Sequence, residues 1–384
     1  MRNEQNIHSS LQDEVLKGIS LSDVEAVRLV LSGNSVIDWN RANFRTLTEV
    51  DRFLLLHGVD LSRTSDRRRI EHLHLSAVTY LEEHLSLRFT EDLRHPTDIR
   101  TLFITASHVG GFRRRQILSC VILKLMHVIH HIEAAELRHQ IPLAESTLLE
   151  EAQRKIIAAS RKLLASELGV QAFYGSRKAR NSVITKLLAK RENIAATIFD
   201  KLRFRIITED QSAIFPALVW LTQNLTPFNY AIPGQSHNNL MSLRQMVTSA
   251  GLSPLYEQLQ TNGITPVKQP RLMGLKGFDD GSEESAEEGA SSVLAVSETA
   301  EANDFSSSNY RNINFIVDVP VRVDHLMGRQ FDSSLGNVVF VMVEFQLMDA
   351  ETALKNEEGD SAHHLYKTRQ LKQVHKRLRR GGPR

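Results

Sequence analysis

The chain has a single cysteine, Cys120, among its 384 residues. One cysteine excludes an internal disulfide and any metal site built from a cysteine cluster, and it suits a reducing compartment. Long hydrophobic runs are scarce too. The longest nearly apolar run, residues 117–126, contains Lys124 and falls well short of the roughly 20 residues that span a bilayer as a helix. The first ten residues, MRNEQNIHSS, lack the apolar core of a secretory signal. No G-x-x-x-x-G-K-[ST] phosphate loop occurs anywhere. These absences lead us to expect a cytoplasmic protein without membrane contact.

What is present is ordinary in bulk and uneven in distribution. Hydrophobic residues are 41% and charged residues 24%, as in a soluble globular protein of two or three domains. The net charge of +2 does not by itself point to nucleic acid. Yet residues 279–304 hold nine acidic side chains and no basic one, and residues 365–384 hold eight Lys or Arg and no acidic one. Eleven of the 16 histidines fall before residue 140.

Apolar residues at three- and four-residue spacing predict helices over residues 24–31, 50–56, 73–87, 117–137 and 144–168. The last has Glu145, Glu150 and Glu151 early and Arg161 and Lys162 late, which suits the helix dipole. After residue 170 the pattern changes. A short helix is expected over 182–190 and an apolar one over 214–225, stopped by Pro227. Strands are expected over 202–208, 313–321 and 338–347, the last two rich in β-branched residues. The composition of 279–308 predicts disorder. The expected class is α+β: an all-helical domain over 1–168, a mixed sheet flanked by helices over 169–370 with the acidic insertion at about 279–308, and a basic tail over 371–384.

Four segments carry chemistry. In the strand 338–347 one face is wholly apolar, while the other runs from Val338, Phe340 and Met342 to Glu344 and Gln346. Glu344 is either a metal ligand or base beside an apolar surface, or part of a sheet edge meeting solvent. Asp200 stands before a strand that presents Arg203 and Arg205 on one face. An acid with arginines suits a magnesium-bound polyphosphate, or else a surface ion-pair strand. Between Gly175 and Arg191 six Lys or Arg precede the first acid, Glu192. With Gly175 and Ser176 as a flexible lead into a helix, this segment reads as an anion site or as a solvated basic helix. Tyr310, after the acidic run, either stacks on a base or packs.

Taken in order, these segments resemble the synthetase domain of the RelA/SpoT family, the alarmone ((p)ppGpp) synthetases. Gly175, Lys178, Ser182, Lys186 and Leu187 match the family's G-R-x-K-x-x-x-S-I-x-x-K-[LM] segment. Asp200, Arg205 and Ile206 match its D-x-x-x-x-R-[IV] strand. Asn309 to Asn314, running into Val319-Pro320-Val321, resembles its G-Y-R-S-x-H strand. Glu344 to Leu347 resembles E-[VI]-Q-[IL]-R-T, and Ala362 to Lys367 resembles A-H-W-x-Y-K. The resemblance covers roughly residues 170–370. It implies a nucleotidyltransferase-like fold that moves pyrophosphate from ATP to the 3′-hydroxyl of a guanosine nucleotide and releases AMP. Asp200 and Glu344 would hold Mg2+, with Glu344 also the base. Lys178, Ser182, Lys186 and Arg205 would bind ATP, while Tyr310, Gln346 and Asn314 would bind the acceptor.

The chain departs from the family at Ser176, Asn309, Asn312, Asn314, Met348 and Asp349. Two further readings therefore stay open: a nucleotide-sensing or interaction module on the same fold, and a transferase acting on the 3′ end of tRNA, with the basic tail holding RNA. Self-association is left open as well. Long members of the family carry a hydrolase domain with a His-Asp doublet, and this chain has no His-Asp dipeptide. His127 and His131 lie one helical turn apart, a spacing that can hold a metal. Without an evident third ligand they read as a polar stripe on an apolar helix, and no hydrolase activity is expected.

Overall fold

The computed structural model describes residues 18–33, 44–107, 113–189, 200–261, 310–328, 333–358 and 363–380. Among these, seven helices precede the first strand: α1 (Leu21–Ser32), α2 (Leu47–Leu56), α3 (Thr64–Leu85), α4 (Glu91–Arg94), α5 (Arg100–Ser107), α6 (Arg113–Gln140) and α7 (Glu145–Leu164). Then follow β1 (Val170–Arg177), α8 (Arg180–Ala189), β2 (Leu202–Thr208), α9 (Ile214–Asn224), β3 (His237–Asn238), α10 (Leu243–Ser249) and α11 (Ser253–Thr261). The chain closes with β4 (Ile313–Arg322), β5 (Val338–Asp349), α12 (Ala350–Glu357) and α13 (His363–Arg380). The class is α+β.

The five strands form one mixed sheet in the order β1-β2-β5-β4-β3. Only β2 and β5 run parallel; the other neighbours are antiparallel. Strand alternation explains the two faces. In β2, Leu202, Phe204 and Ile206 are buried while Arg203 and Arg205 turn the other way. Phe204 pairs with Phe345 and Phe345 with Phe315, so three phenylalanines form one cross-strand row. Their ring centroids are 5.9 and 5.6 Å apart, with interplanar angles of 24° and 19°. This row, with Val339, Val341, Val343 and Leu347, faces α7, α9 and α1.

Local signals start and stop the helices. Ser20 and Asp23 close a capping box at the start of α1, and Gly33 ends it in the left-handed region at φ 58°. Thr46 accepts from the Glu49 N–H at the start of α2. The packing of the helices before residue 168 is divided. α2 to α5 and the first half of α6 build a core of their own around Leu54, Leu73, Leu81, Leu102 and Ile122. α7, Leu137 of α6 and most of α1 (Val24, Val27, Val30 and Leu31) belong instead to the core of the sheet, while Leu29 of α1 joins the helical core. α6 is by length and composition apolar enough to cross a membrane, although no run in it is long without a charge. Its Leu118, Ile122 and Met126 are consumed by the helical core, and its His130 and His131 contact Phe340 of the sheet.

Several expectations change. Residues 170–177 form an edge strand instead of a flexible lead: Gly175 is in β1, and a Cβ there would meet the Phe204 ring at 2.5 Å. The tail from 371 is helical as far as Arg380, because Gln370 and Val374 are buried on the side where α13 packs against α8. β5 is the middle strand, so Glu344, 4% exposed, does not meet solvent at a sheet edge. The acidic insertion over 279–308 lies outside the described residues, as do Asn309 and Ala362.

Candidate functional site

The polar face of β2 and β5 gathers most of the residues that the sequence singles out. Parallel register sets Arg203 opposite Glu344 and Arg205 opposite Gln346. Antiparallel register sets Asn314 of β4 opposite Gln346 on its other side. Because residues two apart share a face, Arg203, Arg205, Glu344, Gln346 and Asn314 all project to one side of the sheet.

Asp200 sits just before β2 and is buried. Its Oδ2 accepts from Lys178 Nζ and, at 3.3 Å, from Arg203 Nη2; its Oδ1 accepts from Lys186 Nζ at 2.9 Å. Lys178 is delivered by the end of β1, where its N–H bonds to the Lys201 carbonyl at 2.9 Å. Lys186 comes from α8, with Ser182 one turn earlier on the same helix face. Burial pushes the Asp200 carboxyl up, but Lys186 and Lys178 together outweigh it and hold the group at about 2. Burial pulls the Lys178 ammonium down, against the opposing pull of Asp200.

Glu344 is held from three directions. Arg203 Nε donates to its Oε2 at 2.6 Å; Asn314 Nδ2 and Gln346 Nε2 donate to its Oε1 at 2.8 and 3.0 Å. Burial lowers the Arg203 guanidinium, yet Glu344 and Asp200 raise it further than burial lowers it. Beyond this pair, Arg205 Nη2 lies 3.4 Å from the Tyr310 hydroxyl. Asn314 Oδ1 and Gln346 Oε1 are buried and have no hydrogen-bond partner among the described residues. Two unpaired amide acceptors beside a carboxylate are costly unless a hydroxyl or N–H of a ligand meets them.

The sheet thus brings together Asp200, Glu344, Lys178, Lys186, Arg205, Tyr310, Gln346 and Asn314. Asn314 gives its N–H2 group to Glu344 and keeps its Oδ1 buried beside it. Residues 363–367 form the first turn of α13, which packs on α8. Arg203 was legible only as a cation on this face. Its role depends on a register with a residue 141 positions later, which no local pattern reveals.

A divalent ion fits this arrangement poorly. A bridging Mg2+ sits about 2.0–2.1 Å from its oxygen ligands, and the space between Asp200 and Glu344 is filled by the Arg203 guanidinium. All four carboxylate oxygens already accept from a protein donor. Among the described residues no group of three or more His, Cys, Asp or Glu is arranged to hold a metal. No protein-family model matches the chain, and no curated protein matches it. The functional reading therefore stands on the residues and their geometry.

A second polar cluster lies on the same sheet face, under α6. Ile316 and Met342 separate it from Glu344. His131 Nδ1 is 3.7 Å from Asp318 Oδ2, and its ring stacks on Phe340 at 4.3 Å. Asn229 Nδ2 lies 3.2 Å from both His57 Nε2 and His127 Nδ1. Tyr230 is buried among His57, His127 and His131. The two histidines of the expected polar stripe therefore face the sheet. Burial holds His57 and His131 down at about 4, pushes His127 and His130 well below their ordinary value, and lifts Asp318 to about 7.

Proposed function

We propose that the polar face of β2 and β5 is the binding site of a nucleoside polyphosphate on a nucleotidyltransferase-like sheet. The observation that carries this reading is the convergence of three cations, Lys178, Lys186 and Arg203, on only two carboxylates, with a fourth, Arg205, next to Arg203 on the same sheet face and bonded to Tyr310. The surplus is positive and partly buried, where a phosphate chain is the matching charge. The unpaired Asn314 Oδ1 and Gln346 Oε1 supply acceptors for sugar hydroxyls or base N–H groups. Tyr310, beside Arg205, supplies a ring face for a base.

Titration calorimetry on the full chain with ATP, GTP and GDP tests this. Binding that weakens at least about tenfold in Lys186→Ala and falls with added salt is expected. Heats absent for every nucleotide at low salt would overturn the reading.

A second reading is pyrophosphate transfer from ATP to a guanosine nucleotide, as the family resemblance implies, or to a tRNA 3′ end. It is favoured by the closeness of Asp200 and Glu344, which share one arginine. Against it, three of the about four lone-pair sites of Glu344 are already taken by Asn314, Gln346 and Arg203, leaving only one on Oε2 for a substrate hydroxyl. Incubation with β-labelled ATP and GDP, GTP or deacylated tRNA decides it. Label transfer that disappears in Glu344→Gln establishes turnover; nucleotide binding without transfer leaves a sensor or scaffold.

A further inference from the structure

We propose that Arg203 is a built-in cation standing where a divalent metal would bridge Asp200 and Glu344, so that the site takes nucleoside polyphosphates without a metal ion. The inference rests on the nucleotide reading above and names the ionic form of the ligand: the free polyphosphate anion, not its magnesium complex.

Three observations carry it. The first is position. Leu202 and Phe204, fully buried on the apolar side, force the residue between them onto the site face. Parallel register then sets that residue directly opposite Glu344. From there the guanidinium reaches Glu344 Oε2 through Nε at 2.6 Å and Asp200 Oδ2 through Nη2 at 3.3 Å. An arginine rooted in a central strand pair, with a planar fork on two carboxylates, is a fixed part of the site rather than a surface arm.

The second is lone-pair occupancy. Lys186 takes Asp200 Oδ1, and Lys178 and Arg203 take Oδ2. Asn314 and Gln346 take Glu344 Oε1, and Arg203 takes Oε2. Magnesium demands oxygens in near-octahedral array at short distance. Asp200 Oδ2 and Glu344 Oε2 both accept from Arg203, so an ion bridging those two oxygens would displace its guanidinium.

The third is charge. Four cations and two carboxylates leave the site at a formal +2 by simple subtraction. A dication added between the acids would double that surplus beside three ammonium or guanidinium groups. The existing surplus attracts the free polyphosphate more strongly than its magnesium complex, whose negative charge is about half as large.

The test pairs direct metal binding with nucleotide binding. Mn2+ binding to the nucleotide-free full chain is followed by the loss of the free-ion EPR signal. ATP binding is followed by calorimetry in EDTA and in Mg2+. The wild type should leave Mn2+ free, bind ATP in EDTA, and bind it more weakly in Mg2+, which draws ATP into its magnesium complex. Arg203→Ser should lose at least about tenfold in ATP affinity in EDTA and recover part of it in Mg2+. It should also acquire Mn2+ binding that the added change Asp200→Asn abolishes. Arg203→Lys, which keeps a cation and guards against a folding defect in the serine variant, should still need no metal. Mn2+ binding by the wild type that Asp200→Asn removes would overturn the proposal, as would ATP binding that EDTA abolishes. If ATP binds in neither buffer, the nucleotide reading fails, and the Mn2+ titrations of wild type and Arg203→Ser still decide the place of Arg203.

Discussion

Asn314 and Glu344 are joined across β4 and β5 by a hydrogen bond of 2.8 Å from Asn314 Nδ2 to Glu344 Oε1. The asparagine is a donor that a buried carboxylate needs, and an aspartate of nearly equal shape is the opposite. Asn314→Asp should place two carboxylates in contact, destabilise the fold by about 1–3 kcal/mol at pH 7 and be partly relieved near pH 4, where one of them protonates. Thermal melts of wild type and variant at the two pH values measure this. A pH-independent difference would show that the pair is not in contact.

The histidine cluster under α6 sets a pH window. Burial holds His57 and His131 at about 4 in the fold against an ordinary value of 6.5, and holds His127 and His130 well below that ordinary value. The unfolded chain therefore binds more protons between these values, and stability falls as pH drops from 6.5 toward 4. Asp318 has the opposite sign. Its folded value of about 7 lies above its ordinary 3.8, so the stability that its protonated form confers is lost as pH rises through 7. Asp318→Asn should keep the acid limb and remove the alkaline one, gaining on wild type at pH 8 relative to pH 5. Urea titrations at both pH values check it. Lys155 faces the same cluster, with burial pulling it down to about 8, and its Nζ donates to the Pro320 carbonyl at 2.9 Å. Its depressed value makes stability rise with pH from about 8 toward 10.5, opposite in sign to the Asp318 limb, so Lys155→Met should leave the difference between pH 5 and pH 8 unchanged.

Gly175 tests the edge strand. Any side chain there enters the Phe204 ring, whose Cε1 lies 2.5 Å from an added Cβ. Phe204 is stacked on Phe345 and cannot retreat freely. Gly175→Val should destabilise by about 1–3 kcal/mol, and combining it with Phe204→Leu should recover part of the loss. Denaturant midpoints of the two single variants and the double variant decide whether the two positions are coupled.

Phe345 is the middle ring of the phenylalanine row and is fully buried. Phe345→Ala removes contacts to both neighbours and should cost about 3–5 kcal/mol. Because Glu344 and Gln346 flank it on the opposite face, the same variant should weaken nucleotide binding even where the fold survives at low temperature.

The elements that the sequence made legible are those whose partners are regular. β2 alternates cleanly because one face meets a continuous apolar layer, and α9 is apolar from Ile214 to Leu221 because nearly all of that stretch is enclosed. β1 was hidden for the opposite reason. It is an edge strand with most of its residues exposed, and its Gly175-Ser176 pair mimics a loop. α13 was hidden because only a few residues, such as Gln370 and Val374, are buried on its packed side. In the site, residue types declared themselves before the fold did. Asp200, Lys178, Lys186 and Glu344 were each readable as parts of an anion or metal site. Their mutual saturation was not, since it arises from strand register and from the path of α8. Likewise His127 and His131 read as a stripe, because Asn229, Tyr230 and Asp318 come from elements about 100 to 190 residues further on.

The order of the strands has a consequence for how the molecule is made. β5, the middle of the sheet, is delivered after every other strand. Until residues 338–349 emerge, β1 with β2 and β3 with β4 are two separate ribbons, each with an open edge and an uncovered phenylalanine. Two-stranded pieces of this kind are marginal in water and prone to pair with other chains. During synthesis on the ribosome the nascent chain thus passes through a long aggregation-exposed interval, and a single late segment both ends that interval and delivers Glu344 to its partners.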